Sequence, residues 1–370
     1  MARSQDLSEH RDEIAEIDRA LLELIRRRFE VAAHIGRHKA EQSLPVVVRD
    51  VEDRVLSKAR DRAEDCGVSE SVMAEIFQAI IRGSVERQYR IGIERRAGSG
   101  GQVLVLGGAG GMGSWIRHFL ELIGHQVHIV DPALRNLPAA PDQYASLADV
   151  EEINRFDAIV VAVPLRQTPD VLTRVVERRP KGPVIEVASI KDHLRPALEL
   201  ARNSGVTVRC LHPMFGPGKS HYEPLTFVVA SQNEPEEERA ALEALLRHPY
   251  SRFLAVPFAH HDRLMGWLLG LAHLNGMLFG AALTRSGLDP RELSACASTT
   301  FSRQAGTALS VLSEDPDLYL DIQHLNPHRD AVYAATKEAL DHLIDVVSKE
   351  DREDFRETMR AARSAVQPED

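Results

Sequence analysis

The sequence predicts a multidomain chain: an all-α domain, then a doubly wound α/β sheet, then a second all-α domain. Three observations carry this. Residues 8–90 keep a helical apolar period with almost no strand signal. From 102 to 257 short apolar runs alternate with helical segments behind a glycine-rich junction, and beyond Pro257 the strand signals stop. At 370 residues the chain exceeds one ordinary core. Its 44% hydrophobic and 27% charged content is that of a globular protein in water. A net charge of −10 argues against nucleic acid as a partner, while local arginines can still hold a small anion.

Ser8, followed by Glu9, Asp12 and Glu13, predicts the start of the first helix. Ile14, Ile17, Leu21, Leu24, Ile25, Val31, Ala32 and Ile35 then recur at helical spacing for about seven turns. So long a stripe calls for a partner helix or a second chain. Pro45 breaks the run, residues 50–64 read as a charged second helix, and Ser69 through Tyr89 read as a third. The segment 91–101, rich in glycine and charge, reads as a flexible linker, which sets domains at 1–92, 102–257 and 258–365 with 93–101 between the first two. Strands are expected at 103–107, 126–130, 158–163, 184–187, 206–210, 226–230 and 252–256, and helices at 259–285, 290–312, 316–325 and 327–347. Cys66, Cys210 and Cys296 are scattered, which indicates neither a disulfide framework nor a metal motif. The first residues lack an apolar signal core and no 18-residue apolar stretch is evident, so a cytoplasmic protein without membrane contact is expected.

Gly107-Gly108-Ala109-Gly110-Gly111-Met112-Gly113 stands directly behind the apolar run Val103–Leu106. Its G-x-G-x-x-G (Gly108, Gly110, Gly113) at a strand-to-helix junction is a Rossmann-type dinucleotide fingerprint. Gly108 is expected to allow the tight turn, Gly110 to admit the pyrophosphate and Gly113 to let helix and strand approach. The amides of Gly111 and Met112 would face the phosphates. Asp131 ends the next strand, about 20 residues on, where a carboxylate binds ribose hydroxyls and repels a 2′-phosphate. NAD is therefore favoured, with Arg135 the basic group that would admit NADP.

Arg28 falls inside the apolar stripe of the first helix, and Lys39 points the same way about three turns later. Charges there are costly unless an anion meets them. Arg11 is offset by roughly 100° from Arg28 and would more easily serve a neighbouring chain. Ser84 and Gln88 share a face of the third helix. Together these residues outline a pocket for a small polyanion. The first 90 residues resemble the all-helical chorismate mutases, whose intertwined dimer shares two sites. That resemblance implies that Arg11 reaches into the partner's site and that Arg28 and Lys39 hold the carboxylate and ether oxygen. Ser84 and Gln88 would supply the third-helix pair. The family's acid for the C4 hydroxyl has no clean match in Arg49-Asp50-Val51-Glu52-Asp53-Arg54, which leaves Glu52 and Asp53 as alternatives beside Asp50.

Glu186-Val187-Ala188-Ser189-Ile190-Lys191 and Leu211-His212-Pro213-Met214-Phe215-Gly216-Pro217 each follow a predicted strand. Doubly wound sheets bind ligands at such ends. A histidine between a strand end and a Pro/Gly-constrained loop suits acid–base work. Residues 102–350 resemble prephenate dehydrogenase, by the His-Pro-Met-Phe-Gly-Pro run, by Ser-Ile-Lys with Glu186 in place of the family's Asp, by His260-His261-Asp262, and by Asp315 to Gln323. The whole chain resembles a fused chorismate mutase–prephenate dehydrogenase. The resemblance implies that His212 accepts a hydrogen bond from the ring hydroxyl, that Ser189 bonds His212 or that hydroxyl, and that Lys191 helps hold cofactor and loop. His273 becomes a substrate-side candidate. Ser310 stands where the family has a substrate-binding arginine, and Arg303, two turns away, is the candidate replacement.

The leading expectation is a bifunctional homodimer that takes chorismate through prephenate to 4-hydroxyphenylpyruvate with NAD. A second reading applies the same chemistry to 4-amino-4-deoxy analogues. A third is a ligand-sensing scaffold with a silent mutase module.

Overall fold

The structure, a computed structural model, describes residues 2–42, 44–47, 49–96, 100–138, 140–246, 248 and 250–367. The chain forms two compact units. One holds Met1–Val160, Pro213–Val228 and Glu236–Leu254; the other holds Val161–His212, Val229–Pro235 and Ala255–Asp370. Eight strands follow the sheet order β3-β2-β1-β4-β5-β6-β7-β8.

The first unit opens with α1 (Ala2–Glu41), α2 (Arg49–Asp61) and α3 (Glu70–Arg96). Helix α1 starts well before Ser8, because nothing in Ala2–Leu7 breaks it, so Ser8 is not a cap. Both α1 and α2 pack on α3. The contacts are close because small residues line them: Ala32, Ala33, Ala59, Ala63 and Ala74 are buried, and Gly83 leaves room for the ring of Phe29. The N-terminal half of α1 keeps its stripe in the open, with Ile14 58% and Leu24 62% exposed.

The expected flexible linker is largely helix. Helix α3 continues through Tyr89, Ile91 and Ile93, all buried, and only the expected linker's residues 97–99 lie outside the described residues. Tyr89 packs edge-on to Tyr250 with centroids 4.2 Å apart, and the Arg90 guanidinium lies 4.3 Å from the ring centre of Tyr222. Arg95 pairs with Glu41 at 2.7 Å. Gly92, within the segment expected to be a flexible linker, sits against the Tyr250 ring, where a side chain would collide. A helical glycine costs only about 1 kcal/mol, which the contacts around it outweigh.

There follow β1 (Gln102–Leu106), α4 (Gly111–Leu122), β2 (Gln126–Val130), β3 (Gln143–Tyr144) and β4 (Ala158–Val161). β1 and β2 pair in parallel from Gln102↔Gln126 to Leu106↔Val130, and β3 adds to β2. The two-residue β3 carries no periodic signal, so the sequence does not announce it. Next come α5 (Thr168–Glu177), β5 (Val184–Glu186), α6 (Arg195–Asn203), β6 (Val208–Pro213), β7 (Leu225–Ser231), α7 (Pro235–Leu246) and β8 (Ser251–Pro257). β5 and β6 pair in parallel from Val184↔Val208 to Glu186↔Cys210.

The second unit ends in α8 (Phe258–Met265), α9 (Ala272–Ser286), α10 (Pro290–Ala295), α11 (Thr299–Leu312), α12 (Pro316–Leu325), α13 (Arg329–Ser348) and α14 (Arg352–Val366). A π-helical stretch, Gly266–Leu271, joins α8 to α9. Such a widened turn disturbs the regular carbonyl pairing. Here the Gln323 amide donates to Gly270 O at 2.9 Å, and Tyr333 Oη donates to Gln323 Oε1 at 2.9 Å. The Asp321-Ile322-Gln323 motif therefore braces this helix. The helical run Phe258–Ser286 is long and apolar enough to cross a membrane, contrary to the sequence reading. One side of it packs on other helices, with Gly276 against Val311, Gly280 against Leu312 and Gly266 against Val332, while Trp267, Leu268 and Leu278 stay exposed. The expected helix 290–312 is split, since Ser298 caps a new helix by accepting from Phe301 N at 3.1 Å.

Ile93 is 1% exposed, so Ile93→Ala should lower stability by about 2–5 kcal/mol, measured by urea denaturation followed by circular dichroism. An unchanged midpoint would return this segment to the status of a tether.

Candidate functional site

In the helical part of the first unit, Arg28 reaches from α1 to α3, where its Nη1 donates to Ser84 Oγ and to Ile80 O (3.2 Å). Ser84 is buried, and its hydroxyl donates to Ile80 O at 2.8 Å. Gln88, one turn on, is buried with its side-chain oxygen unpartnered, and Gly36 allows the backbone of α1 to lie against it. Lys39 donates to Val46 O at 2.7 Å, in the segment that leads to α2. Burial lowers the pKa of Arg28 and Lys39 from their ordinary values, and Glu52 counters the shift at Lys39. Glu52 is half-buried and also acts electrostatically on Tyr89, whereas Asp50 and Asp53 are exposed. Of the acids the sequence left open, Glu52 is the one turned toward the cationic groups. Arg11 is exposed and apart from them.

Further along the same unit, the backbone turns at Gly107, with φ 81°, one residue before the glycine expected to make that turn. Gly108 instead leaves room for Ile129, and a Cβ on Gly113 would overlap Gly107 O. Gly110 is the N-cap of α4, and its Cβ position meets nothing but Gly107 O at 3.3 Å, so the amides that open α4 face an unobstructed cradle. Asp131 shapes this loop: its Oδ2 accepts from Ala109 N at 3.0 Å and its Oδ1 from Ala133 N at 2.9 Å. Each oxygen retains a lone pair for a ribose hydroxyl. The residues therefore fit a dinucleotide, whose pyrophosphate Gly110, Gly111, Met112 and Gly113 would hold. Beyond the strand, the Met-Phe-Gly-Pro part of the signature packs on α4: Phe215 lies 4.6 Å from Trp115, and Pro217 flanks Gly111. Trp115 Nε1 donates to Lys219 O at 2.7 Å.

In the second unit, His212 is buried near the end of β6. Its Nδ1 lies 3.1 Å from His261 Nε2, and His261 Nδ1 lies 2.7 Å from Asp262 Oδ1. Asp262 accepts from Lys191 N (2.9 and 3.1 Å) and from Asp192 N (2.8 Å). Burial would raise its pKa, but the hydrogen bonds from His261 and these amides bring it below the usual value. Burial, together with His261 and Lys191, holds His212 well below 6.5, and burial also lowers His261 despite Asp262. The sequence motif His260-His261-Asp262 signalled a family but not this pairing.

One expectation is corrected here, and a second is narrowed to one of its two alternatives. Lys191 has no exposed surface; its Nζ donates to Glu186 Oε1 at 2.6 Å and to Leu211 O at 2.9 Å, so it cannot reach a cofactor or substrate. Its role is to tie the ends of β5 and β6. Ser189 is half-buried and makes no hydrogen bond to His212 among the described residues, which leaves the substrate hydroxyl, the other expected partner, as the open alternative. His273 lies 4.4 Å from the Tyr319 ring with its Nδ1 buried and unpartnered, and burial lowers its pKa. Arg303 and Ser310 are both exposed on α11, and no contact joins Arg303 to His212 or His273 among the described residues. No group of three or more potential ligands for a metal ion occurs among the described residues.

Residues 10–89 match the family of chorismate mutase type II. Residues 140–228 match the nucleotide-binding domain of prephenate dehydrogenase, and residues 257–361 its dimerization domain. The chain is similar to the T-protein of Enterobacter agglomerans, 26% identical over 317 residues, which span 86% of this chain and 81% of that one. It is also similar to the T-protein of Haemophilus influenzae, 23% identical over 365 residues, 98% of this chain and 93% of that one. Its fold is similar to the crystal structure of prephenate dehydrogenase from A. aeolicus in complex with hydroxyphenyl propionate and NAD+. The TM-score is 0.58 at 17% identity, covering 72% of this chain and 97% of that one. The chain belongs to the bifunctional enzymes of aromatic amino acid biosynthesis that fuse a type II chorismate mutase to an NAD-dependent prephenate dehydrogenase.

Proposed function

We propose that the chain works as a cytoplasmic homodimer in which Arg28, Lys39, Glu52, Ser84 and Gln88 form one mutase pocket and His212 is the proton acceptor of the dehydrogenase. The observation that carries the mutase assignment is the buried, unpartnered oxygen of Gln88 beside Ser84 and Arg28. Arg28 and Lys39 hold the substrate's carboxylate and breaking ether oxygen, and Glu52 takes the C4 hydroxyl. Arg11 enters from the second copy, whose α1 covers the open stripe of the first. The pericyclic rearrangement of chorismate to prephenate needs no acid, base or nucleophile. Its rate comes from holding the reactive conformer and from positive charge at the ether oxygen.

For the second reaction, buried and neutral His212 accepts the proton of prephenate's ring hydroxyl. NAD, when bound, would supply the hydride acceptor for ring C4; the ring carboxylate leaves as carbon dioxide as the ring becomes aromatic. Gly108 to Gly113 and Asp131 hold the dinucleotide. Ser189 faces the same hydroxyl, and His273 serves the substrate side with Tyr319 against its ring. The exposed Arg303 supplies the carboxylate contact that Ser310 cannot.

Gly113→Ala forces a Cβ into Gly107 O. It should abolish NAD binding in a calorimetric titration while chorismate turnover stays intact. His212→Asn should reduce NADH formation from prephenate on the order of 10²–10⁴-fold without slowing the mutase. Arg28→Ala should do the reverse, and equal loss of both activities in either variant would sink the separation of sites. Because His212 is held below 6.5 and works unprotonated, kcat/KM for prephenate should fall only as pH drops below 6.5. An acid limb above 6.5 would contradict that. NADH formation from chorismate, prephenate and 4-amino-4-deoxychorismate in parallel tests the substrate, and turnover of the amino compound alone would replace the hydroxyl reading.

A further inference from the structure

His212 is useful as a base only if the nitrogen facing substrate lacks a proton, and a neutral imidazole can carry its proton on either nitrogen. The cluster around it decides which. Asp262, ionised and 3% exposed, accepts only, so the His261 Nδ1 that it meets at 2.7 Å must carry hydrogen. Neutral His261 then presents a lone pair at Nε2, and the His212 Nδ1 that lies 3.1 Å away must be the donor. His212 Nε2 is left bare. Asp262 cannot turn away, because Lys191 N and Asp192 N both donate to it. Asn326 Nδ2 fixes the same residue's backbone by donating to Asp262 O at 2.8 Å.

We propose that His261 and Asp262 are positioning residues that set the tautomer of His212, with hydrogen on Nδ1, so that Nε2 takes the hydroxyl proton of the substrate. This rests on His212 being the proton acceptor. No proton moves between His212, His261 and Asp262; the substrate's O–H bond breaks and an N–H bond forms at His212. The proton from the substrate hydroxyl arrives at His212 Nε2, and the resulting imidazolium faces His261, backed by the carboxylate of Asp262. The other charged groups around it, Lys191 and Glu186, are already paired with each other.

Asp262→Asn is the informative change. The asparagine oxygen can still accept from the amides of Lys191 and Asp192, so the local fold is kept. Its NH2 then donates to His261 Nδ1, which moves the hydrogen of His261 to Nε2 and that of His212 to Nε2 as well. The base is thereby blocked without being removed. The experiment is ring 15N NMR of the full-length protein labelled at histidine, with His212 assigned by comparison with His212→Asn, alongside steady-state kinetics of both activities. The expected wild-type signal is Nδ1–H at His212, inverted to Nε2–H in Asp262→Asn. With that inversion, kcat for prephenate should fall on the order of 10²–10⁴-fold at little-changed KM while chorismate turnover is unaffected. Nε2–H at His212 in the wild type, or an Asp262→Asn protein with unaltered tautomer and kcat, overturns the proposal. If Asp262→Asn does not fold, the wild-type spectrum alone decides. A fully active His212→Asn enzyme would refute the base itself, a failure separate from that of the relay.

Discussion

The cluster around His212 is held together by one buried ammonium. Lys191 has no solvent contact, and it ties Glu186 at the end of β5 to the carbonyl of Leu211, the residue before His212. Its own backbone amide then fixes Asp262, which orients His261, which meets His212. A charge taken this far from water persists only with its partner in place; removal of one member of such a pair costs about 3–5 kcal/mol. The lysine contributes nothing to substrate directly. It sets the register in which strand, loop and helix present the imidazole of His212, the proposed base.

The helical mutase part works by an opposite economy of contacts. Its cationic groups are only half-buried, and their hydrogen-bond partners are uncharged acceptors such as Ser84 Oγ and Val46 O. Such groups are held in place without a direct carboxylate partner, an arrangement that suits the proposed dianionic substrate. The core beneath them is built from alanine and glycine, so α1 and α3 approach closely while the larger side chains Ile14, Ile17, Leu21 and Leu24 stay in the open.

Much of this was legible in the sequence, for physical reasons. The 3.6-residue period marks the helices, and the glycines behind an apolar run mark the cradle because only glycine tolerates Gly107's φ of 81° or the packing at Gly113. Arg28 stood out as a charge inside an apolar stripe. What stayed hidden depends on tertiary partners. Lys191 reads as a ligand until Glu186 and Leu211 O are seen to consume it. His261 and Asp262 are adjacent in sequence, but their meaning comes from β6, about 50 residues away. The π-helical stretch depends on Gln323, and the helical course of 91–96 depends on Tyr250 and Tyr222.

That helical course has a consequence for how the two enzymes can be joined. A coil between catalytic modules tolerates almost any length. A continuous α3, running from Ser84 and Gln88 to Arg96, does not. Each residue inserted after Gln88 would advance the chain by about 1.5 Å and swing it by about 100°, so Tyr89 and Arg90 would miss Tyr250 and Tyr222 unless whole turns were added. The fusion point is thus phase-locked: the spacing between the two enzymes is restricted to discrete values, and a change there that looks small in sequence is a large rotation in space.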